Sequence, residues 1–269
     1  TVTAAGQTAT VKVAVKLSEV ARKYSFRHDI MPVLSKAGCN AGSCHGYSLG
    51  KNGFKLTLRG SDAAPDYKSL TEEFLNRRVN LHNLPASLLL RKPLGDSPHE
   101  GGVRFEHGSL LHNYLLGWIT EGCQSDLKDP VRLESIHVYP EKVVLSPSRQ
   151  HQLQLIANYS DGSLRDVTRL AIFTANTERV ASVDDMGLVT AADLGETAVV
   201  VRFERIFATS NFIVLNANPK FQPTPIPAGN VIDKFVVRKL NDLNINPSEL
   251  VDDAGFLRRV HLDLIGIQP

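Results

Sequence analysis

The sequence predicts a multidomain chain: a small all-α domain, then an all-β sandwich, then a truncated helical C-terminal segment. Three observations support this fold class. Apolar residues follow a helical period before about residue 128, short β-rich runs follow from about residue 131, and two amphipathic helical patterns come after residue 230. The chain has 269 residues, which at roughly 150 residues per domain is long enough for two domains.

The charge balance and hydropathy exclude several classes of function. There are 30 Lys and Arg against 28 Asp and Glu with no block of like charges, so the basic footprint of a nucleic-acid-binding protein is missing. No apolar run approaches the roughly 20 residues of a membrane-spanning helix. The first residues lack the charged and apolar regions of a signal peptide. We expect no nucleic-acid partner and no membrane span in this fragment.

Residues 1–17 are the first predicted segment. Within them, GQTATVKVAV alternates like a β-strand, yet no neighbouring strand precedes it. The run resembles the last strand of the predicted sandwich, so we interpret the segment as the remnant of a preceding sandwich domain or as a leader. The alternative is a strand that pairs with one of the later domains.

Residues 18–128 are assigned to the all-α domain. Its first helix follows Ser25 and ends at Gly38, and its last helix has Ser109 as N-cap and stops at Gly122. Two shorter helices are expected between them, over residues 67–78 and 86–91. These helices and loops leave little room for a self-sufficient core, which a large bound group would supply.

Three further segments complete the predicted organisation. Residues 131–217 contain about seven short strands separated by turn signals, which favours an immunoglobulin-like sandwich. Residues 218–229 are rich in proline and predict a stiff linker. Residues 230–269 hold two amphipathic helices that cannot bury both apolar faces alone, so we expect the start of a truncated helical domain.

Cys39, Cys44 and His45 form the most informative pattern in the chain. Two thiols can bond to the two vinyl groups of a haem, and a histidine directly after the second thiol can ligate the iron; the commoner spacing is C-x-x-C-H. The small residues between the cysteines allow the longer loop to bulge. Two alternatives remain: a local disulfide between the two cysteines, or a zinc site completed by Cys123 and a histidine. Otherwise Cys123 is a buried or unpaired thiol.

Three stretches of the chain resemble parts of one modular family. Residues 25–122 resemble the planctomycete cytochrome c family, through FRHDIMPVLSKAGCNAGSCHG, GKNGFKLTLRG and SLLLRKPLGDSPHEGG. Residues 133–215, with YSDGSLRDVT and GETAVVVRF, resemble a bacterial immunoglobulin-like (group 2) domain, and residues 230–269 resemble the start of an uncharacterised helical domain. The resemblance implies one covalently attached haem c in an exported protein, periplasmic, secreted or on the cell surface.

The second axial ligand of the iron is expected to be His99. In simpler members of that family a Met in a Met-Pro-Pro turn caps the iron, and the matching turn here carries His99, while Met31 and Met186 are not well placed. Bis-histidine coordination by His45 and His99 is therefore the prediction. The alternatives, in decreasing order of preference, are His107, then His82 or His112, and then water or an open position.

Other polar residues receive plainer interpretations. His28 is expected to face solvent or to cap its helix, and the carboxylates Asp161, Asp184 and Asp185 are expected to form turns rather than to bind calcium. Six basic residues are candidates for pairing with haem propionates, or are simply solvated: Lys51, Lys55, Arg59, Arg91, Lys92 and Arg104.

The predicted function is covalent haem binding and one-electron transfer in an exported modular protein, with an unknown redox partner. Two protein ligands would leave the iron no position for a substrate, and whether the chain is an enzyme stays open. One alternative is a haem-based redox or gas sensor, or a haem enzyme, with a labile distal ligand. The other is an adhesive or glycan-binding module with a structural haem, in which the sandwich binds a glycan or a cell-surface partner.

Overall fold

The computed structural model describes residues 2–4, 7–10, 23–129, 131–225 and 230–269. In this part of the chain, four β-sheets are accompanied by a few helices. The chain divides into two compact units that interleave along the sequence. The first contains Thr1–Val138, Gln154–Phe173 and Val200–Ala208, and the second contains Tyr139–Leu153, Thr174–Val199 and Thr209–Pro269.

The prediction of a separate all-α cytochrome domain is wrong. The helical segment shares its compact unit with strand segments that come much later in the chain. Asp29, whose side chain is fully buried, accepts a hydrogen bond from Arg165 Nη2 at 2.6 Å. Lys36 Nζ donates to the carbonyl oxygen of Ala171, also at 2.6 Å.

His28 shows the same dependence on distant residues. It is buried rather than exposed as expected, with Nδ1 2.7 Å from Glu204 Oε1 and Nε2 3.3 Å from the carbonyl oxygen of Val131. A buried charged or polar group must find partners. His28, Asp29 and Lys36 find partners more than 100 positions away, which a helical period cannot reveal.

The helical segment contains one π-helical turn, Phe26–Ile30, which continues into α1. The bounds of the helices are α1 Met31–Lys36, α2 Ala63–Thr71, α3 Glu73–Asn76, α4 Leu88–Leu94 and α5 Leu110–Thr120. The predicted start of α5 is confirmed, because Ser109 accepts a hydrogen bond from the backbone N–H of His112. The helix expected over 67–78 instead runs from Ala63 to Thr71. It does not continue to residue 78, because Phe74 and Leu75 within the short α3 have left-handed backbones, with φ of 52° and 56°.

These helices bury an aromatic centre of their own. Phe26 packs against Trp118 and Tyr67, with ring centres 5.4 and 5.1 Å apart, and both Phe26 and Trp118 are fully buried. Trp118 Nε1 donates to the carbonyl oxygen of Gln124, and the Tyr67 hydroxyl donates to that of Cys123. The expectation that this segment lacks a core without a bound group is therefore wrong.

The β-rich region folds into ten strands after residue 131. Their bounds are β3 Leu133–Tyr139, β4 Lys142–Leu145, β5 Gln150–Gln152, β6 Gln154–Tyr159, β7 Leu164–Asp166, β8 Ile172–Ala175, β9 Ala181–Val183, β10 Leu188–Ala191, β11 Gly195–Phe203 and β12 Ile206–Val214. The strand orders are β3-β6-β7, β5-β10-β9 and β4-β12-β11-β8. β4 and β12 are parallel, with Val143 opposite Phe212. Near the N-terminus, β1 Val2–Ala4 and β2 Gln7–Ala9 form an antiparallel pair.

Two helices follow in the second unit, α6 Val231–Asp242 and α7 Asp253–Ile265. Ion pairs join α6 to β4 and β11, from Lys142 to Asp242 and from Lys239 to Glu196. The predicted strand residues 11–15 and linker residues 226–229 lie outside the described residues. Within the described ranges, no helix has both the length and the apolar character needed to cross a bilayer.

Candidate functional site

The loop after α1 carries Cys39, Cys44 and His45. Gly38 has a left-handed φ of 75°, and the N–H of Cys39 donates to the carbonyl oxygen of Leu34, which ends the helix. The loop then closes on itself, since the N–H of His45 donates to the carbonyl oxygen of Cys39 at 3.0 Å. The predicted bulge between the cysteines is thus a hydrogen-bonded turn.

Cys39, Cys44 and Cys123 are free thiols in the structure, so no disulfide joins the first two. Burial raises the pKa of the Cys39 thiol to about 12, and that of Cys123 likewise to about 12. Arg104 Nη2 lies 3.5 Å from Cys44 Sγ and donates a hydrogen bond to it. Among the described residues, no three His, Cys, Asp or Glu side chains converge on a metal position, which gives the zinc alternative no support.

His45 is held by the residue that opposes it across the loop, Phe54. The Nδ1–H of His45 donates to the carbonyl oxygen of Phe54 at 3.1 Å, and the two ring centres are 4.3 Å apart. Because a carbonyl oxygen only accepts, this bond places the proton on Nδ1 and leaves the Nε2 lone pair available. Burial lowers the pKa of His45, which favours the neutral ring that a metal requires.

His99 lies beside His45. The two imidazole rings have centres 6.3 Å apart and planes inclined by only 12°. His99 Nδ1–H donates to the carbonyl oxygen of Gly102 at 3.0 Å. As in His45, the proton therefore lies on Nδ1, and Nε2 is the unprotonated nitrogen. The pair therefore presents two Nε2 acceptors whose tautomers are both fixed by backbone carbonyls.

Both cysteines and both histidines line one cavity of about 740 Å³. That volume falls in the range of cofactor sites, roughly 300–1,000 Å³. The charged residues of the lining are five cations, Lys51, Arg77, Arg78, Lys92 and Arg104, against one carboxylate, Glu100. The cavity therefore suits a ligand that carries negative charge.

The other predicted candidates do not line this cavity, as far as the described chain extends. His107 is exposed and lies 3.2 Å from Asp96, His112 packs near His107, and His82 is exposed on another turn. Of the six basic residues proposed for propionates, three line it: Lys51, Lys92 and Arg104.

Sequence reasoning missed three residues of the site. Phe54 supplies the carbonyl that fixes His45, and Arg77 and Arg78 add two of the five cations. The adjacent pair of arginines at the end of the predicted helix, Arg77 and Arg78, was the signal in the sequence that could have indicated these two cations. Phe54 gave none, because its role depends on a backbone carbonyl that every residue possesses.

Comparisons with known proteins give no family. No protein-family model matches the chain, and no curated protein matches it. Solved structures that match include S-layer protein SbsC domains 4 and 5, with 16% identity over 32% of this chain and 54% of that chain, and a TM-score of 0.29. Domains 5–6 match with 17% identity over 33% of this chain and 47% of theirs, also at 0.29. The chain thus spans about half of these two fragments.

These findings correct the predicted identity. The solved structures named above are S-layer protein domains and not cytochromes. The assignment to the planctomycete cytochrome c family, including its immunoglobulin-like and helical parts, is therefore wrong, since no family model and no curated protein supports it. At a TM-score of 0.29 the S-layer domains transfer no function either, so function must be argued from the site.

Proposed function

We propose that the chain binds one haem covalently through Cys39 and Cys44, with His45 and His99 as the two axial ligands of its iron. The proposal takes its support from the side chains around the cavity, independently of any relative. A haem iron needs only two protein ligands, so it does not require a cluster of three.

The separation of the two histidine rings is the observation that carries the proposal. A first-row metal bonds an imidazole nitrogen at about 2 Å, and that nitrogen lies about 1 Å from its ring centre, so imidazoles on opposite sides of one ion have centres about 6 Å apart. The centres of His45 and His99 are 6.3 Å apart. In each ring the Nδ1–H donates to a backbone carbonyl oxygen, as is typical of histidines that bind a metal through Nε2.

The thiols supply the covalent link. Each S–H would add across one vinyl group, so that sulfur bonds to one carbon and the hydrogen passes to the other, and no oxidant is needed. Cys39 and Cys44 are free and line the same cavity as the histidines. The five cations of the lining suit the two carboxylates of a haem.

A haem held between two protein ligands would supply one-electron redox chemistry without an open position for substrate. The protein groups orient it, and the buried side of the cavity, formed by Leu34 and Leu89, excludes water. We place the protein outside the cytoplasm, in the periplasm or at the cell surface, and leave its redox partner undefined.

An absorption spectrum together with a mass measured under denaturing conditions tests the proposal. The full chain, produced in cells that attach haem, should carry the mass of one haem and a Soret band. Cys39→Ser with Cys44→Ser should lose the covalent mass. His99→Ala should lose the bis-histidine spectrum, whereas His107→Ala, a histidine outside the cavity, should keep it. A wild-type mass equal to that of the bare chain would end the proposal.

A haem sensor or enzyme with a labile ligand is the second candidate, and the position of His99 favours it. His99 lies in a turn whose neighbours Pro98, Glu100 and Gly102 are exposed. Carbon monoxide added to the reduced protein separates the two functions. Fast binding to the wild-type chain would favour the sensor, and no binding would favour closed electron transfer.

A further inference from the structure

Arg78 is bound to two backbone segments at once. Its Nη1 donates to the carbonyl oxygen of Ser69 at the end of α2 (2.6 Å), and its Nη2 donates to that of Gly53 (3.1 Å). Glu73 lies 3.6 Å from the same guanidinium and also accepts from the Ser69 hydroxyl. Arg78 thereby ties α2 to the turn that precedes Phe54.

The same guanidinium covers the ring of Phe54. Its central carbon lies 4.3 Å from the ring centre, within the range of a cation–π contact. Phe54 in turn contacts His45: the two ring centres are 4.3 Å apart, and the Nδ1–H of His45 donates to the Phe54 carbonyl oxygen. Arg78 therefore contacts Phe54, and Phe54 contacts His45, whose ring is tilted by 44° to that of Phe54 and hydrogen-bonded to its carbonyl oxygen.

We propose that Arg78 is a positioning residue for His45, acting through Phe54. This inference rests on the proposed function for its redox consequence, but the positioning itself concerns residues of the chain alone. A flat guanidinium with two fixed carbonyl bonds holds the Phe54 turn in place, and the Phe54 carbonyl then fixes the tautomer and the direction of the His45 ring. Lysine is not equivalent, because its compact ammonium lacks the planar fork of donors that spans the two carbonyls and covers the Phe54 ring.

Arg77 provides a matched control. It lines the same cavity and carries the same charge, but it is exposed and the structure gives it no contact with Phe54. Removing a positive charge near the iron favours the oxidised form and lowers the reduction potential. Loss of the Nδ1 hydrogen bond makes His45 less basic and raises the reduction potential. The two effects have opposite signs.

Two measurements on the full chain test the inference. In the haem-free chain, ¹⁵N NMR should show His45 as the Nδ1–H tautomer in the wild type and in Arg77→Met, and as a mixture of tautomers in Arg78→Lys. In the haem-loaded chain, His45 should bind oxidised iron more tightly than reduced iron, and Arg78→Lys should lower the ratio of these two affinities about tenfold. The reduction potential should therefore rise by about 59 mV for one electron. Arg77→Met should lower it.

A fixed tautomer in Arg78→Lys, or a potential that stays at the wild-type value, would overturn the inference. If Arg78→Lys does not fold, Arg78→Met takes its place, because it removes both carbonyl bonds and the cation over the Phe54 ring and loses the same charge as Arg77→Met. An unchanged His45 tautomer in Arg78→Met would equally overturn the inference. Absence of haem from the wild-type chain would refute the proposed function alone, since the tautomer measurement still judges Arg78.

Discussion

The two histidine-bearing loops of the site are built in different ways. The loop that ends in His45 is tied to the segment that follows it: the carbonyl oxygen of Asn40 accepts from the N–H of Arg59, and that of His45 accepts from the N–H of Leu56. The turn that carries His99 is closed locally. His99 bonds to Gly102 through both its ring and its backbone carbonyl.

This difference shows how each histidine obtains its orientation. His45 is oriented by packing and hydrogen bonds from residues 54–56 of the next segment, so changes there should damage the fold as well as the site. His99 is oriented by its own turn, so changes there should displace the His99 ring and leave the fold intact. The predictions below run from the largest expected effect to the smallest.

Gly46→Ala should have the largest effect. A Cβ at Gly46 would lie 2.1 Å from the carbonyl oxygen of Asn40, a backbone atom that cannot move aside cheaply. We expect a loss of about 3 kcal/mol in the free energy of unfolding, measured by denaturant titration. The control is Gly102→Ala in the other loop, where nothing lies within 4 Å and only the left-handed backbone, at φ 71°, costs about 1 kcal/mol. Equal losses would contradict the comparison.

Asp66 should give the His45 side of the site a pH-dependent stability. It is buried and accepts hydrogen bonds from the N–H and the hydroxyl of Thr57, which directly follows the residues that bind His45, and burial raises the pKa of Asp66 to about 6. A carboxyl whose folded pKa lies above its unfolded value stabilises the fold at low pH. Stability should therefore fall between about pH 4 and pH 6, by up to roughly 3 kcal/mol.

Denaturant midpoints at several pH values measure this fall. Asp66→Asn keeps a carbonyl oxygen for the Thr57 N–H and cannot ionise, so its stability should be flat over that window. A slope in Asp66→Asn equal to that of the wild type would assign the effect to another group.

His45→Ala and His99→Ala should differ in stability in the haem-free chain. His45→Ala removes the contact with the Phe54 ring and leaves its carbonyl without the imidazole donor, so we expect a loss of about 1–2 kcal/mol. His99→Ala removes a half-exposed side chain and should change stability by less than about 0.5 kcal/mol. Thermal unfolding of both variants decides, and a larger loss for His99→Ala would reverse the assignment of the two loops.

Gly101→Ala should have the smallest effect on stability and should still move the His99 ring. A Cβ there would lie 2.8 Å from Cε1 and 3.1 Å from Nε2 of His99, and a side-chain ring can rotate away at little cost. We expect less than about 0.5 kcal/mol in unfolding, together with a changed absorption spectrum in the haem-loaded chain. An unchanged spectrum would mean that His99 is not held where the structure has it.

Local signals in the sequence identified parts of the fold correctly. The Ser109 cap, the Gly38 stop and the β-rich runs depend on neighbours within a few positions, and all three appear in the structure. The predicted division into an all-α domain and a separate sandwich is wrong. The buried Asp29 of the helical segment pairs with Arg165, far along the chain, and local patterns in the sequence cannot reveal such a pair.

By itself, the sequence determined the chemistry that is available: two thiols, a histidine beside the second, and a further histidine in a glycine-rich turn. Only the tertiary structure decided that His45 and His99 face one cavity, that Phe54 fixes the first ring, and that Arg78 holds Phe54. The physical reason is the distance along the chain over which each kind of interaction acts. Capping and turn formation act over a few residues, whereas ring separation and the choice of a carbonyl partner depend on how segments from different parts of the chain pack together.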